Sequence, residues 1–124
     1  MNGKILLDTN ILIELLSGNE QISSYIEGFE IYISAITSIE LLSKPEATVS
    51  EIKVIKKMIS ECTVLEHLNP NIQEVAAKLR REKTVKKTPD AIIVATSIFH
   101  ELPLLTFDIE LKNLKDINLV IFED

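Results

Sequence analysis

The chain is 124 residues long, 46% hydrophobic and 26% charged, with a formal net charge of −6. That length suits one domain over residues 1–124, with enough apolar side chains to build a core. The negative balance excludes a protein that grips nucleic acid through bulk positive charge, but not an enzyme whose clustered carboxylates carry divalent metal. The single cysteine, Cys62, rules out an internal disulfide framework. It fits a reducing cytosol, so a cytoplasmic location is expected, and Cys62 itself reads as a small buried residue. Asp8 interrupts the apolar residues after Lys4 too early for a signal peptide. No apolar run nears the roughly 18 residues of a membrane span.

Ile5-Leu6-Leu7 is a continuous apolar run, the pattern of a strand covered on both faces, and Asp8 falls where it should end. Thr9 and Asn10 are good N-cap types, so a helix is predicted from Asn10 to Ser17, with Ile11, Leu12, Leu15 and Leu16 on one face. Gly18 is a natural stop for it. Glu20 to Glu27 reads as a second short helix ended by Gly28. Ile31–Ser34 is β-branched and aromatic and reads as strand two. Ala35–Leu42 follows as a helix, with Ile36, Ile39 and Leu42 as the expected inward stripe and Glu40 in its first or second turn.

Thr48 to Glu61 is predicted as an amphipathic helix, with Val49, Ile52, Ile55 and Ile59 inward and Lys53, Lys56 and Lys57 opposite. Thr63–Leu65 reads as strand three. Pro70 suits the first position of a helix running to about Glu82, with Ile72, Val75, Ala76 and Leu79 inward. Its end is basic, with Arg80, Arg81, Lys83, Lys86 and Lys87. Cations at a helix C-terminus stabilise it, so a solvated helix end explains this run; contact with RNA is the sharper reading. Thr88-Pro89-Asp90 opens the next helix, with Thr88 as the cap. That helix is apolar almost all round to Phe99 and should be buried. Leu104–Thr106 reads as strand four, with Asp108 just past its end. Glu110 to Leu114 is a short helix, Leu119–Phe122 strand five, and Glu123-Asp124 an acidic tail. His67 and His100 read as structural or exposed.

Strand and helix alternate from end to end, which predicts a three-layer α/β/α sandwich with a mostly parallel sheet. In such a fold the helices that follow strands start on the edge where the strands end. Asp8 and Asp108 at strand ends, and Glu40 and Asp90 early in helices, can therefore converge. The plain alternatives are that Asp8 only caps a helix and that Asp90 faces the free amides of its own helix. Four carboxylates brought together raise one another's pKa values, and a hard divalent cation offsets this. Oxygen ligands without His or Cys suit Mg²⁺ or Mn²⁺ rather than Zn²⁺. Such a site activates water against a phosphodiester.

Asp8-Thr9-Asn10 after an apolar strand, Glu40 within Thr37-Ser38-Ile39-Glu40-Leu41, Pro89-Asp90-Ala91 opening an apolar helix, and Thr106-Phe107-Asp108 late in the chain resemble the PIN domain. The order, spacing and length are similar to VapC-type toxins of toxin–antitoxin pairs. The resemblance implies a PIN-like fold and a Mg²⁺- or Mn²⁺-dependent endoribonuclease acting on RNA. It implies an acidic pocket of Asp8, Glu40, Asp90 and Asp108, with Asp8 and Asp90 as principal metal ligands. Glu40 and Asp108 complete the site or orient water, and Thr9, Asn10 and Thr106 orient the carboxylates. It further implies a homodimer and a cognate antitoxin protein that plugs the pocket. Leu41-Leu42-Ser43-Lys44-Pro45 stands where the family's toxins often carry a glycine, which alters the entry to the next helix.

A second reading, from another class, is a non-catalytic binding module on the same fold for a protein or RNA partner. An aspartyl-nucleophile phosphatase fits poorly, because Asn10 stands where a second Asp is needed. A receiver domain fits no better, lacking acids ahead of Asp8 and a late-strand Lys.

Overall fold

Ile5, Leu6 and Leu7 are each at most 1% exposed, and they form the centre of a five-stranded sheet. The structure is a computed structural model and describes residues 3–123, so Asp124 of the acidic tail lies outside the described residues. In chain order the elements are β1 (Lys4–Leu7), α1 (Thr9–Leu16), α2 (Glu20–Ile26), β2 (Glu30–Ser34), α3 (Ala35–Leu42), α4 (Val49–Ser60) and β3 (Thr63–Leu65). Then come α5 (Pro70–Arg81), α6 (Thr88–His100), β4 (Leu104–Thr106), a short 3₁₀ helix (Ile109–Asn113) and β5 (Leu119–Ile121). Every strand pair is parallel, and the order across the sheet is β3-β2-β1-β4-β5. The sheet is thus wholly parallel, where the pattern predicted mostly parallel.

Alternation along the strands splits the core into two layers. Leu6 and Leu104 face Ile72, Ala76 and Leu79 of α5 and the buried side of α6. Ile5, Leu7, Ile33 and Leu105 face Ile11 and Leu12 of α1, Ile22 of α2 and Ile55 of α4. This is why the strands read as unbroken apolar runs: both faces are covered. Among the described residues no helix is long and apolar enough to cross a membrane.

Several local expectations shift. Helix α1 begins at Thr9 with Asp8 as its N-cap, one residue earlier than predicted. In α3 the predicted stripe holds only at Ile36, which packs on the core: Ile39 is 60% exposed and Leu42 also faces out, while Thr37 and Leu41 are buried. The helix leaves β2 with no loop, capped by Ser34, and this phase turns Thr37 rather than Ile39 inward. Val49 is exposed because it opens α4 at the first turn after the Thr48 cap. Thr88 lies inside α6 rather than capping it, since Lys87 holds the N-cap position without a side-chain bond. Cys62 is half-buried, not buried, and its thiol is pushed up to about 11 by desolvation with the Glu61 charge adding to it. His67 and His100 are both exposed, as expected.

Helix α6 ends on Glu101 in the left-handed conformation, φ 54° and ψ 41°. A Cβ is disfavoured there, and glycine is the residue that fits. Glu101→Gly should therefore raise stability by about 0.5–1 kcal/mol, after allowing for the extra entropy of an unfolded glycine. Urea denaturation would read this as a higher midpoint at unchanged slope.

Candidate active site

The strand order reverses between β1 and β4: the chain builds one half of the sheet outward from β1, then crosses to the other side. Such a switch point leaves a crevice beyond the carboxyl ends of the two strands. Asp8 follows β1 directly, and its backbone N–H donates to Leu105 O of β4 at 3.0 Å. Both of its carboxylate oxygens are held. Oδ1 accepts from Thr9 N at 2.9 Å, and Oδ2 accepts from the Thr106 hydroxyl at 2.6 Å. Asp8 therefore both caps α1 and stands at the crevice, so the two readings of it coexist.

Thr106, fully buried at the end of β4, also accepts from Asp108 N at 3.0 Å. Asp108 then caps the 3₁₀ helix by accepting from Glu110 N at 3.0 Å. Across the crevice, the Thr9 hydroxyl donates to Glu40 Oε1 at 2.7 Å and lies 3.0 Å from the Thr37 hydroxyl. Thr9 has one hydroxyl proton and gives it to Glu40, so Thr37 must be the donor in the second contact. A directed chain, Thr37 to Thr9 to Glu40, fixes that carboxylate. Thr37 was missed from the sequence, although it lies three residues before Glu40 on the same helix face. Asn10 does not join this network. Because α1 starts at Thr9, Asn10 is exposed, and among the described residues its side chain makes no hydrogen bond.

Asp90 is the third residue of α6 and half-buried. Burial raises its pKa, and the charges of Asp8, Glu40 and Asp108 push the same way, opposed only by Lys87. Asp8 is also raised, first by burial and then by Asp108 and Glu40, against its bonds from Thr106 and Thr9. The fold thus sets all four predicted acids at one edge of the sheet, where the charges of Glu40 and Asp108 act on both Asp8 and Asp90. Among the described residues none of the four forms an ion pair. Nor do any three His, Cys, Asp or Glu side chains stand close enough to form a ready coordination sphere. The donor set nevertheless fits a hard divalent ion: carboxylate and hydroxyl oxygen only, desolvated, oriented, and without a competing cation in contact.

A wholly parallel α/β sheet with oriented acids at its switch point defines a class: a domain that offers an acidic crevice to a cation or a cationic group. The sequence profile of the PIN domain matches residues 5–117, and the chain belongs to that family. It is similar in structure to a toxin–antitoxin complex from Klebsiella pneumoniae, at 29% identity and a TM-score of 0.79, covering 94% of this chain and 95% of that one. VapBC2 from Rickettsia felis, bound to a DNA fragment from its promoter, matches at 18% identity and a TM-score of 0.82, covering 97% and 99%. DNA-bound VapBC from Salmonella typhimurium matches at 23% and 0.80, covering 95% and 97%. No curated protein matches the chain.

Proposed function

We propose that this chain is a metal-dependent endoribonuclease that hydrolyses RNA phosphodiester bonds, and the toxin of a type II toxin–antitoxin pair. Residues 1–124 form its one PIN-like domain. The observation that carries this is Asp8, held by both oxygens at the switch point, with Glu40 and Asp108 acting on both it and Asp90 and, among the described residues, no cation in an ion pair with any of the four.

A Mg²⁺ or Mn²⁺ ion bound there supplies a water of lowered pKa and positive charge for the leaving oxygen. Asp8 and Asp90 would hold the ion, and Glu40 and Asp108 would complete its oxygen set or orient water. Thr9 and Thr106 aim the carboxylates, and Thr37 fixes the donor direction of Thr9. Thr106→Val removes the 2.6 Å bond to Asp8 and conserves volume. It should weaken Mn²⁺ binding by about 10–100-fold, as loss of an orienting partner does, which isothermal titration would measure.

A groove of about 550 Å³ runs from Glu40 between α1, α3 and α4, past Ile13, Leu16, Leu41 and Val54. Its exposed apolar side chains and its reach to an acid of the crevice support a protein partner that docks beside the site; the structures this fold resembles are toxin–antitoxin complexes. We take that partner to be an antitoxin, the toxin to be a homodimer, and both to be cytoplasmic. The test is labelled RNA incubated with Mn²⁺ and with EDTA. Cleavage that EDTA abolishes is expected; RNA left intact by the metal-loaded protein would favour the non-catalytic binding module.

A further inference from the structure

The basic run at the α5–α6 junction is divided by the structure into two roles. Arg80 is turned inward upon its own chain. Its Nη1 donates to Val85 O at 3.2 Å and Lys86 O at 2.6 Å, and its Nε donates to Thr88 Oγ1 at 3.3 Å. Val85 is a buried plug, 4% exposed, and its N–H bonds back to Leu79 O at 3.3 Å. The junction is therefore fixed from both sides. What it presents is Lys86 and Lys87, both exposed.

Lys86 shares its ammonium loosely with Glu110 at 3.8 Å. Lys87 has no ion pair among the described residues. It occupies the N-cap position of α6, three residues ahead of Asp90 on the same opening turn, and it is the one cation whose charge acts on Asp90. A polyanion approaching a chain of net charge −6 meets an acidic crevice that repels it. A metal answers only the phosphate being cleaved. A lysine at the rim is a point-charge partner for the next one along the strand.

We propose that Lys87, carried on a turn that Arg80 ties down on either side of it, binds a backbone phosphate of the RNA strand beside the one cleaved. This rests on the reading of the crevice as a ribonuclease site. Arg80 is a positioning residue: its rigid fork matches two carbonyls and a hydroxyl of this turn.

The test is fluorescence anisotropy of a labelled single-stranded RNA with the full chain in CaCl₂, over a series of KCl concentrations. Lys87→Gln should weaken binding about tenfold and flatten the log–log salt slope by about 0.7, the value of one single-strand phosphate contact. Arg80→Gln should weaken binding less, and the double variant should be no weaker than Lys87→Gln alone, because Arg80 acts through Lys87. Lys112→Gln, whose ammonium is shared with Glu123, should change neither reading. Wild-type affinity and slope in Lys87→Gln, an equal loss in Lys112→Gln, or no RNA binding by the wild type would each overturn the proposal. Additive losses in the double variant would remove Arg80 from it. Cleavage is scored separately in Mn²⁺. Binding through Lys87 without cleavage sinks the nuclease and keeps the lysine; cleavage with an indifferent Lys87 does the reverse.

Discussion

Asp8→Asn is expected to lower Mn²⁺-dependent RNA cleavage by at least about 10²–10³-fold, the range seen when one preorganised charge-stabilising group is lost. The fold should survive. Asn keeps the oxygen that accepts from Thr9 N, and the side chain stays the same size, so α1 remains capped. What disappears is the negative charge, together with the carboxylate oxygen that Thr106 orients. Asp90→Asn should be equally damaging for a simpler reason: among the described residues its side chain makes no hydrogen bond, so the substitution removes charge and little else. Initial rates with labelled RNA, beside circular dichroism of each variant, would check both. A folded Asp8→Asn protein that cleaves at more than half the wild-type rate would sink the assignment.

The second large effect is on stability, and its sign follows from the raised pKa values of Asp8 and Asp90. A carboxyl whose pKa is higher folded than unfolded binds its proton more tightly in the native state. Its stabilising contribution is complete below the ordinary value of 3.8 and is lost as the pH rises through the folded value. In EDTA, then, these two groups should make the protein more stable as the pH is lowered from 7 towards the ordinary carboxylate range. Asp90→Asn should raise the metal-free melting temperature at pH 7, because it deletes a half-buried charge; a gain of about 1 kcal/mol is typical when a functional group is given up this way. Mn²⁺ should invert the picture. Free ion at 100 times its Kd adds about 2.7 kcal/mol, and it competes with protons, so the stabilisation fades as the pH falls. Thermal melts in EDTA and MnCl₂ across this range would show two slopes of opposite sign. Coincident melts with and without Mn²⁺ would contradict the metal site.

Much of this was legible in the residues, and the places where it was not have physical causes. The strands were plain, because burial on both faces leaves an unbroken apolar run, as at Ile5-Leu6-Leu7. The four acids could be placed on one edge because strand ends and following helix starts share it. Periodicity failed at α3. It counts threonine as outward, whereas Thr37 is buried for the sake of a hydroxyl partner on α1 that no local pattern reveals. It also placed Thr88 one position too early, since Lys87 caps α6 with backbone alone. Arg80 was read as one more solvated cation; its acceptors are carbonyls of a turn whose shape the sequence does not show. The orienting role of Asn10 is implied by the resemblance alone, and with α1 starting at Thr9 its side chain lies exposed.

Ser34 closes β2 and caps α3 in a single step, and Asp8 does the same between β1 and α1. Neither junction holds slack. One residue inserted between Ser34 and Glu40 would wind Glu40 roughly 100° about the helix axis and carry it about 1.5 Å along, out of reach of the Thr9 hydroxyl. Deletions and duplications at these two junctions are therefore far more costly than substitutions at the exposed positions around them. Length can drift on the opposite side of the sheet, where turns such as Gly18 and Gly28 leave open chain between elements.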